Sequence, residues 1–220
     1  MKINILEVDS IQKEINGKLI LSDIYIKCKT GDIIGIFGRN GSGKSTLFKI
    51  IFGIESAENK FVKINQIVKN KTSDLLNDIS YLPQDYFIPK RFSVRKAISL
   101  SINKNQIDLF IEDVNIKMII DKYVYQLSGG ELRYLEIKLI LSNKSKFALL
   151  DEPFKGLSPL SIEKVCVLLL EDSKGKGILI TDHNYEEMLK ISNKIILLKD
   201  GRTSLIKNLA ELEEKGYLKK

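Results

Sequence analysis

Tryptophan is missing from the sequence, histidine occurs once, cysteine twice and proline four times among 220 residues. No apolar run approaches the roughly 18 residues that a membrane-spanning helix needs. Cys28 and Cys166 stand far apart without the paired spacing of a metal or redox site, so they read as small buried apolar residues in a reducing compartment. The start, Met1-Lys2-Ile3-Asn4-Ile5, has neither the apolar segment nor the cleavage site of a signal peptide, which places the expected protein in the cytosol. Internal repeats, low-complexity tracts and a long coiled-coil insertion are also missing.

What remains is an ordinary globular composition, 44% hydrophobic and 29% charged, enough for one substantial core or two small lobes sharing it. A formal charge of +7 is compatible with nucleic acid or an acidic membrane surface as partner. The lysines, however, are scattered among acids. Only Lys90-Arg91 with Arg95-Lys96 forms a local basic cluster, and a solvated face accounts for it.

The most specific stretch is Gly38-Arg39-Asn40-Gly41-Ser42-Gly43-Lys44-Ser45-Thr46, of the form GxxxxGK[ST]. A polyphosphate is best held by backbone N–H groups, and glycine lets them approach without a Cβ in the way. The preceding Asp32–Phe37 is short, apolar and β-branched, as a buried parallel strand is. The following Lys44–Ile51 has helical apolar spacing, so the positive end of its dipole faces the phosphates. Lys44 is expected to reach the β- and γ-phosphates and the Ser45 hydroxyl to ligate Mg²⁺. A flexible Gly/Ser turn is the competing account; the strand before and helix after argue against it.

Along the chain, residues 3–26 alternate apolar and polar, which predicts antiparallel strands with one wet face, turned at Asn16-Gly17. Phe61–Asn65 continues that pattern, and Ile79–Leu82 is a short strand ended by Pro83. From Ser93 to Tyr125 the period becomes helical, an inserted lobe. Helices are then expected over Glu131–Leu141, Pro159–Glu171 and Tyr185–Ile191, alternating with strands at Phe147–Asp151, Gly177–Asp182 and Lys194–Lys199. Ser158 is the expected N-cap before Pro159. The fold class is therefore α/β, a P-loop NTPase core with an antiparallel β subdomain and a helical insertion.

Phe147–Leu150 is followed by two carboxylates at a strand end, where ligands gather in open α/β sheets. Asp151 is the expected Mg²⁺ carboxylate and Glu152 the general base for the attacking water. A second glycine-rich turn, Leu127-Ser128-Gly129-Gly130-Glu131, opens a helix without any lysine. One phosphate chain does not need two such cradles in the same subunit.

With Gln84 between these turns and His183 after a later strand, the chain resembles the ATP-binding cassette (ABC) family over essentially its whole length. Tyr81–Asp85, Phe92–Val94, Asp151–Phe154 with Gly156, and Ile180–Asn184 are similar to cassettes of lipopolysaccharide export and branched-chain amino-acid uptake. The resemblance implies that Ser128, Gly129, Gly130 and Glu131 close on the ATP of an opposite cassette in a head-to-tail homodimer or heterodimer. It implies Gly38–Thr46 for the phosphates, Gln84 for Mg²⁺ and signalling, and His183 as a switch contacting the γ-phosphate. The family's adenine-stacking aromatic is replaced here by Ile15, and its D-loop aspartate by Ser158. The resemblance further implies ATP and Mg²⁺ as cofactors, integral membrane subunits as partners, no nucleic acid, and a place on the cytoplasmic face of the inner membrane.

The expected organisation is one cassette, 1–220: a nucleotide-binding core at 1–85 and 147–206, a helical lobe at 86–146 and a short C-terminal helix at 207–220. Phe87, Ile88, Phe92 and Val94 are expected to line a groove that receives a membrane partner. The alternative function is a non-transport cassette ATPase that regulates or assembles a cytosolic complex. DNA repair or translation, favoured by the charge, usually needs a coiled-coil insertion or two cassettes in one chain.

Overall fold

The computed structural model describes residues 3–69 and 71–217. Residues 218–220, the last of the expected C-terminal helix, lie outside the described residues, as do the first two residues and residue 70.

The chain begins with β1 (Ile5–Ile15), β2 (Lys18–Leu21) and β3 (Tyr25–Lys29), antiparallel about β1. The expected turn joins β1 to β2, with Asn16 at φ 52° and Gly17 at φ 75°, the left-handed pair that a tight hairpin requires. Next come β4 (Ile33–Phe37), α1 (Lys44–Phe52), β5 (Asn59–Ile64), β6 (Ile67–Val68), α2 (Thr72–Leu76) and β7 (Ile79–Leu82). β5 pairs with β1 and with β6, completing the antiparallel sheet.

The inserted region is built from the short helices α3 (Val94–Ser101), α4 (Ile107–Ile111) and α5 (Val114–Lys117), then the long α6 (Gly129–Ser142). The remainder alternates: β8 (Phe147–Asp151), α7 (Pro159–Ser173), β9 (Gly177–Thr181), α8 (Tyr185–Ile191), β10 (Lys194–Lys199), β11 (Arg202–Ile206) and α9 (Leu209–Glu214). Ser158 caps α7 as expected, its Oγ accepting from Ser161 N at 3.3 Å, a contribution of about 1 kcal/mol.

The second sheet has the order β11-β10-β4-β9-β8-β7, parallel except for the β10–β11 hairpin. Its inner strands are buried on both faces, and successive side chains enter different cores. Ile34, Ile36, Phe147, Leu149 and Leu179 pack with the antiparallel sheet and α1. Ile33, Phe37, Ala148, Leu150, Ile178 and Ile180 pack with α6, α7 and the inserted helices. Each such isoleucine or leucine contributes about 1.5–3 kcal/mol relative to exposure. The carboxyl ends of β4, β7, β8 and β9 therefore share one edge.

One expectation is overturned here. Ile88 and Val94 belong to the core, 7% and 0% exposed, and Phe92 is partly buried against it; only Phe87, 42% exposed, faces out. The reason is a tie across the insertion: Val94 N donates to Lys122 O and Val124 N to Phe92 O, which pulls this stretch under residues 122–124. The basic cluster also divides. Arg95 pairs with Asp121 at 2.8 Å and Lys96 lies over the Phe92 ring, whereas Lys90 and Arg91 are exposed.

Candidate functional site

β4 ends at Phe37 and the chain turns immediately into the glycine loop. A Cβ on Gly38 would lie 2.6 Å from Ser42 Oγ and 2.7 Å from the Leu198 carbonyl, and Gly43 has φ 97°. Both positions thus require glycine. Gly43 precedes α1 without any side-chain cap, so the first-turn N–H groups of α1 are left for an anion. Lys44 is 8% exposed, and its Nζ donates to Gly38 O at 2.7 Å and Arg39 O at 3.1 Å. Burial pulls this ammonium below the ordinary lysine value, opposed by the nearby Glu152 and Asp151 carboxylates. Such a lysine gains from a phosphate that replaces the carbonyls.

Asp151, at the end of β8, is held by hydroxyl groups. Ser45 Oγ donates to Oδ1 at 3.1 Å, Thr181 Oγ1 to Oδ1 at 2.9 Å, and the Tyr81 hydroxyl to Oδ2 at 3.2 Å. Burial first, and then Asp151 itself, push the Tyr81 phenol far above its usual value, so it stays a donor. Ser45 and Asp151 offer hard oxygen ligands side by side, the donor chemistry that Mg²⁺ selects. No cluster of three His, Cys, Asp or Glu ligands occurs among the described residues. A cation that keeps water and phosphate oxygens in its shell does not need one.

Glu152 has φ 51°, a left-handed conformation uncommon for a residue with a Cβ. Its N–H donates to Thr181 O at 2.8 Å. Its carboxylate accepts from Gln84 Nε2 at 2.8 Å and meets His183 Nε2 at 2.9 Å. Asp182 fixes the turn that carries His183, accepting from Phe154 N at 2.8 Å and Asn184 N at 2.9 Å. Burial raises the Asp182 carboxyl above its ordinary value, and these two backbone donors oppose that.

The sequence-predicted residues Ser45, Gln84, Asp151, Glu152 and His183 are therefore joined to one another beside the glycine loop. Ser128 and Glu131 are elsewhere engaged. Ser128 Oγ accepts from Glu131 N at 3.2 Å, Glu131 returns to Ser128 N at 2.7 Å, and its other oxygen meets Lys122 at 2.9 Å. No hydrogen bond among the described residues joins them to the glycine loop.

A cavity of about 540 Å³ flanks the outer half of the loop, lined by Lys18, Ile20, Arg39 and Asn40 with residues of the β10–β11 turn and 215–217. That volume suits a nucleoside. Ile15, 41% exposed at the hairpin, pairs with Lys18 but is not itself in the lining. Arg39 donates to Gly216 O at 3.1 Å, and the Tyr217 ring stands edge-on to Phe37 at 5.6 Å.

Sequence reasoning missed Tyr81, Thr181, Arg133 and Glu136. The last two are almost fully buried on α6, where an i,i+3 charge pair amid Leu132, Leu135 and Ile137 was the available signal.

Known proteins resemble this chain in sequence and in fold. The family described as ABC transporter matches residues 21–155. The lipopolysaccharide export system ATP-binding protein LptB of Haemophilus influenzae is 30% identical over 218 residues, covering 91% of this chain and 89% of that protein. LptB of Escherichia coli (strain K12) is 32% identical over 215 residues, covering 89% and 87%. A solved structure described as the ATP binding subunit of an ABC transporter shares the fold, with a TM-score of 0.83 over 97% of this chain and 94% of that one at 20% identity.

Proposed function

The chain belongs to the ABC transporter family as an ATP-binding, ATP-hydrolysing subunit, and from that premise we propose that two cassettes close head to tail on ATP and energise lipopolysaccharide-export-like transport by membrane subunits. The observation that carries this reading is the junction of Ser45, Gln84, Asp151, Glu152 and His183 beside the uncapped start of α1.

In this reading the N–H groups of Gly41 to Thr46 and the Lys44 ammonium hold the β- and γ-phosphates. Ser45, Asp151 and Gln84 are the residues that would hold Mg²⁺, which when bound neutralises charge on the phosphate oxygens. The Glu152 carboxylate accepts a proton from the water that attacks the γ-phosphorus. Gln84 and His183, already bonded to Glu152, orient that carboxylate and report the state of the γ-phosphate. Ser128, Gly129 and Gly130 of each copy face the other copy's γ-phosphate.

No helix among the described residues is long and apolar enough to cross a membrane. In the transport reading, the stroke of closing and opening acts on integral membrane subunits from the cytoplasmic face. Phe87 with the exposed Lys90 and Arg91 supports docking of a partner helix, a smaller contact than the four-residue apolar groove expected.

Glu152→Gln tests the reading. Turnover should fall by roughly two to four orders of magnitude while ATP binding persists, and a dimer peak should build up with ATP in size-exclusion chromatography. Undiminished hydrolysis would remove Glu152 as the base. Tagged protein from solubilised membranes should also bring down integral membrane subunits, and their repeated absence would favour a non-transport cassette.

A further inference from the structure

α6 carries a buried charge pair that bonds neither to the glycine loop nor to any side chain expected to meet ATP. Arg133 is 1% exposed and Glu136 is 0% exposed, with Nη1 and Oε2 3.5 Å apart. All the other hydrogen bonds of this pair go to backbone. Arg133 Nη1 donates to Pro83 O at 2.9 Å, and Nη2 donates to Asp151 O at 2.8 Å and Glu152 O at 2.9 Å. Glu136 Oε1 accepts from Phe87 N at 2.7 Å and Ile88 N at 3.2 Å.

Two side chains one helical turn apart thus grip both ends of 83–88, the segment that contains Gln84, and the peptide groups on either side of the Glu152 Cα. The charge–charge contact itself adds little stability. Buried ion pairs are often matched or bettered by apolar residues of similar volume, and Arg133 Nε lacks any hydrogen-bond partner. Burial also pushes the Glu136 carboxyl above its ordinary value, against the opposing Phe87, Ile88 and Arg133 contacts. What the pair does supply is geometry. Glu152 holds a left-handed φ of 51°, a conformation that persists only where its surroundings enforce it. The Thr181 carbonyl takes the Glu152 N–H on one side, and the Arg133 fork takes the carbonyls of Asp151 and Glu152 on the other. Only a planar guanidinium has donors spread to serve these carbonyls at once; an ammonium does not.

We propose that Arg133 and Glu136 are a positioning pair for hydrolysis: they lock the 83–88 segment and the Glu152 backbone to α6, so that a displacement at Phe87 and Ile88 reaches the Glu152 carboxylate through these two side chains. The pair acts through Glu152 and so rests on that residue being the base, which Glu152→Gln decides separately.

The test is the double variant Arg133→Met, Glu136→Met in the full chain, with Arg133→Lys beside it. The double variant strips partners from three backbone carbonyls and two backbone N–H groups, so it should melt below the parent, yet bind ATP within about twofold because the glycine loop is untouched. Its kcat should fall about 10- to 100-fold, the usual consequence of a reacting group displaced by an ångström or less. Arg133→Lys, which keeps the charge balance and loses the fork, should lower kcat about 10-fold with KM unchanged. A purely structural role would instead move KM and kcat together in the double variant and leave folded Arg133→Lys with the parent's kcat. A folded double variant with the parent's kcat overturns the proposal. So does a double variant that fails to fold while Arg133→Lys turns over like the parent. If Glu152→Gln abolishes hydrolysis and these variants do not affect it, the base stands and only the positioning pair falls.

Discussion

Two glycine-rich turns open helices in this chain, and they treat the unsatisfied N–H groups of a helix start in opposite ways. At α1, Gly43 provides no side chain and the first turn holds no acid, so the donors stay free and the lysine that follows waits on nearby carbonyls. At α6, Ser128 and Glu131 satisfy each other's backbone in a capping box. The first start is left to be completed by an anion; the second already satisfies two of its own N–H groups. The second can nevertheless donate. Because Ser128 Oγ already accepts from Glu131 N, its own proton is left for an oxygen outside the turn. That contrast fits one turn holding the nucleotide throughout and the other meeting it only when two copies close.

The contrast is broken most severely by Lys44→Ala. Removing the one cation buried in the α1 turn should weaken nucleotide binding by about 100-fold or more, and calorimetry showing unaltered affinity would take the phosphate away from α1. Next is Ser128→Trp, which leaves α1 untouched. A single copy should bind ATP as before, while turnover falls about 100-fold because the bulky ring keeps the copies apart; hydrolysis at the parent's rate would dissolve the shared site.

The smallest effect sharpens the comparison through pH. Burial would raise the Glu131 carboxyl, but hydrogen bonds from Ser128 and Lys122 hold it below the ordinary value of 4.5. A carboxylate lowered on folding adds stability above its unfolded value and loses it as pH falls through the folded one. Glu131→Gln, which can still form the box, should therefore melt slightly below the parent at neutral pH, by no more than about 1 kcal/mol. The two melting curves should converge as pH is lowered from about 5 to 3. A gap that persists in acid would show that the box does not depend on charge.

The parallel strands and the site they carry were legible because each is a short apolar run ended by a polar or glycine signal. Ile33–Phe37 runs into Gly38, and Phe147–Leu150 into Asp151-Glu152. The Asn16-Gly17 turn was legible for the same local reason. β6 spans Ile67–Val68 and α2 spans Thr72–Leu76, too short for any period to show. Ile88, in a loop, and Val94, at the start of α3, were misplaced because their burial depends on what folds over them, here residues 122–124. Arg133 and Glu136 escaped notice because their partners are backbone atoms up to 50 positions away, which side-chain patterns do not encode. Ile15 came from the resemblance alone; it pairs with Lys18, which lines the cavity beside the glycine loop.

The sheet order has a consequence for how the protein is made. β4 pairs only with β9 and β10, whose first paired residues are synthesised about 140 and 160 positions after it. At about 5–20 residues per second, a ribosome leaves this apolar strand with both edges open for roughly 7 to 30 s. During that interval its own partner strands do not yet exist, so another nascent chain is the available partner and the strand is an aggregation hazard of synthesis rather than of the mature fold.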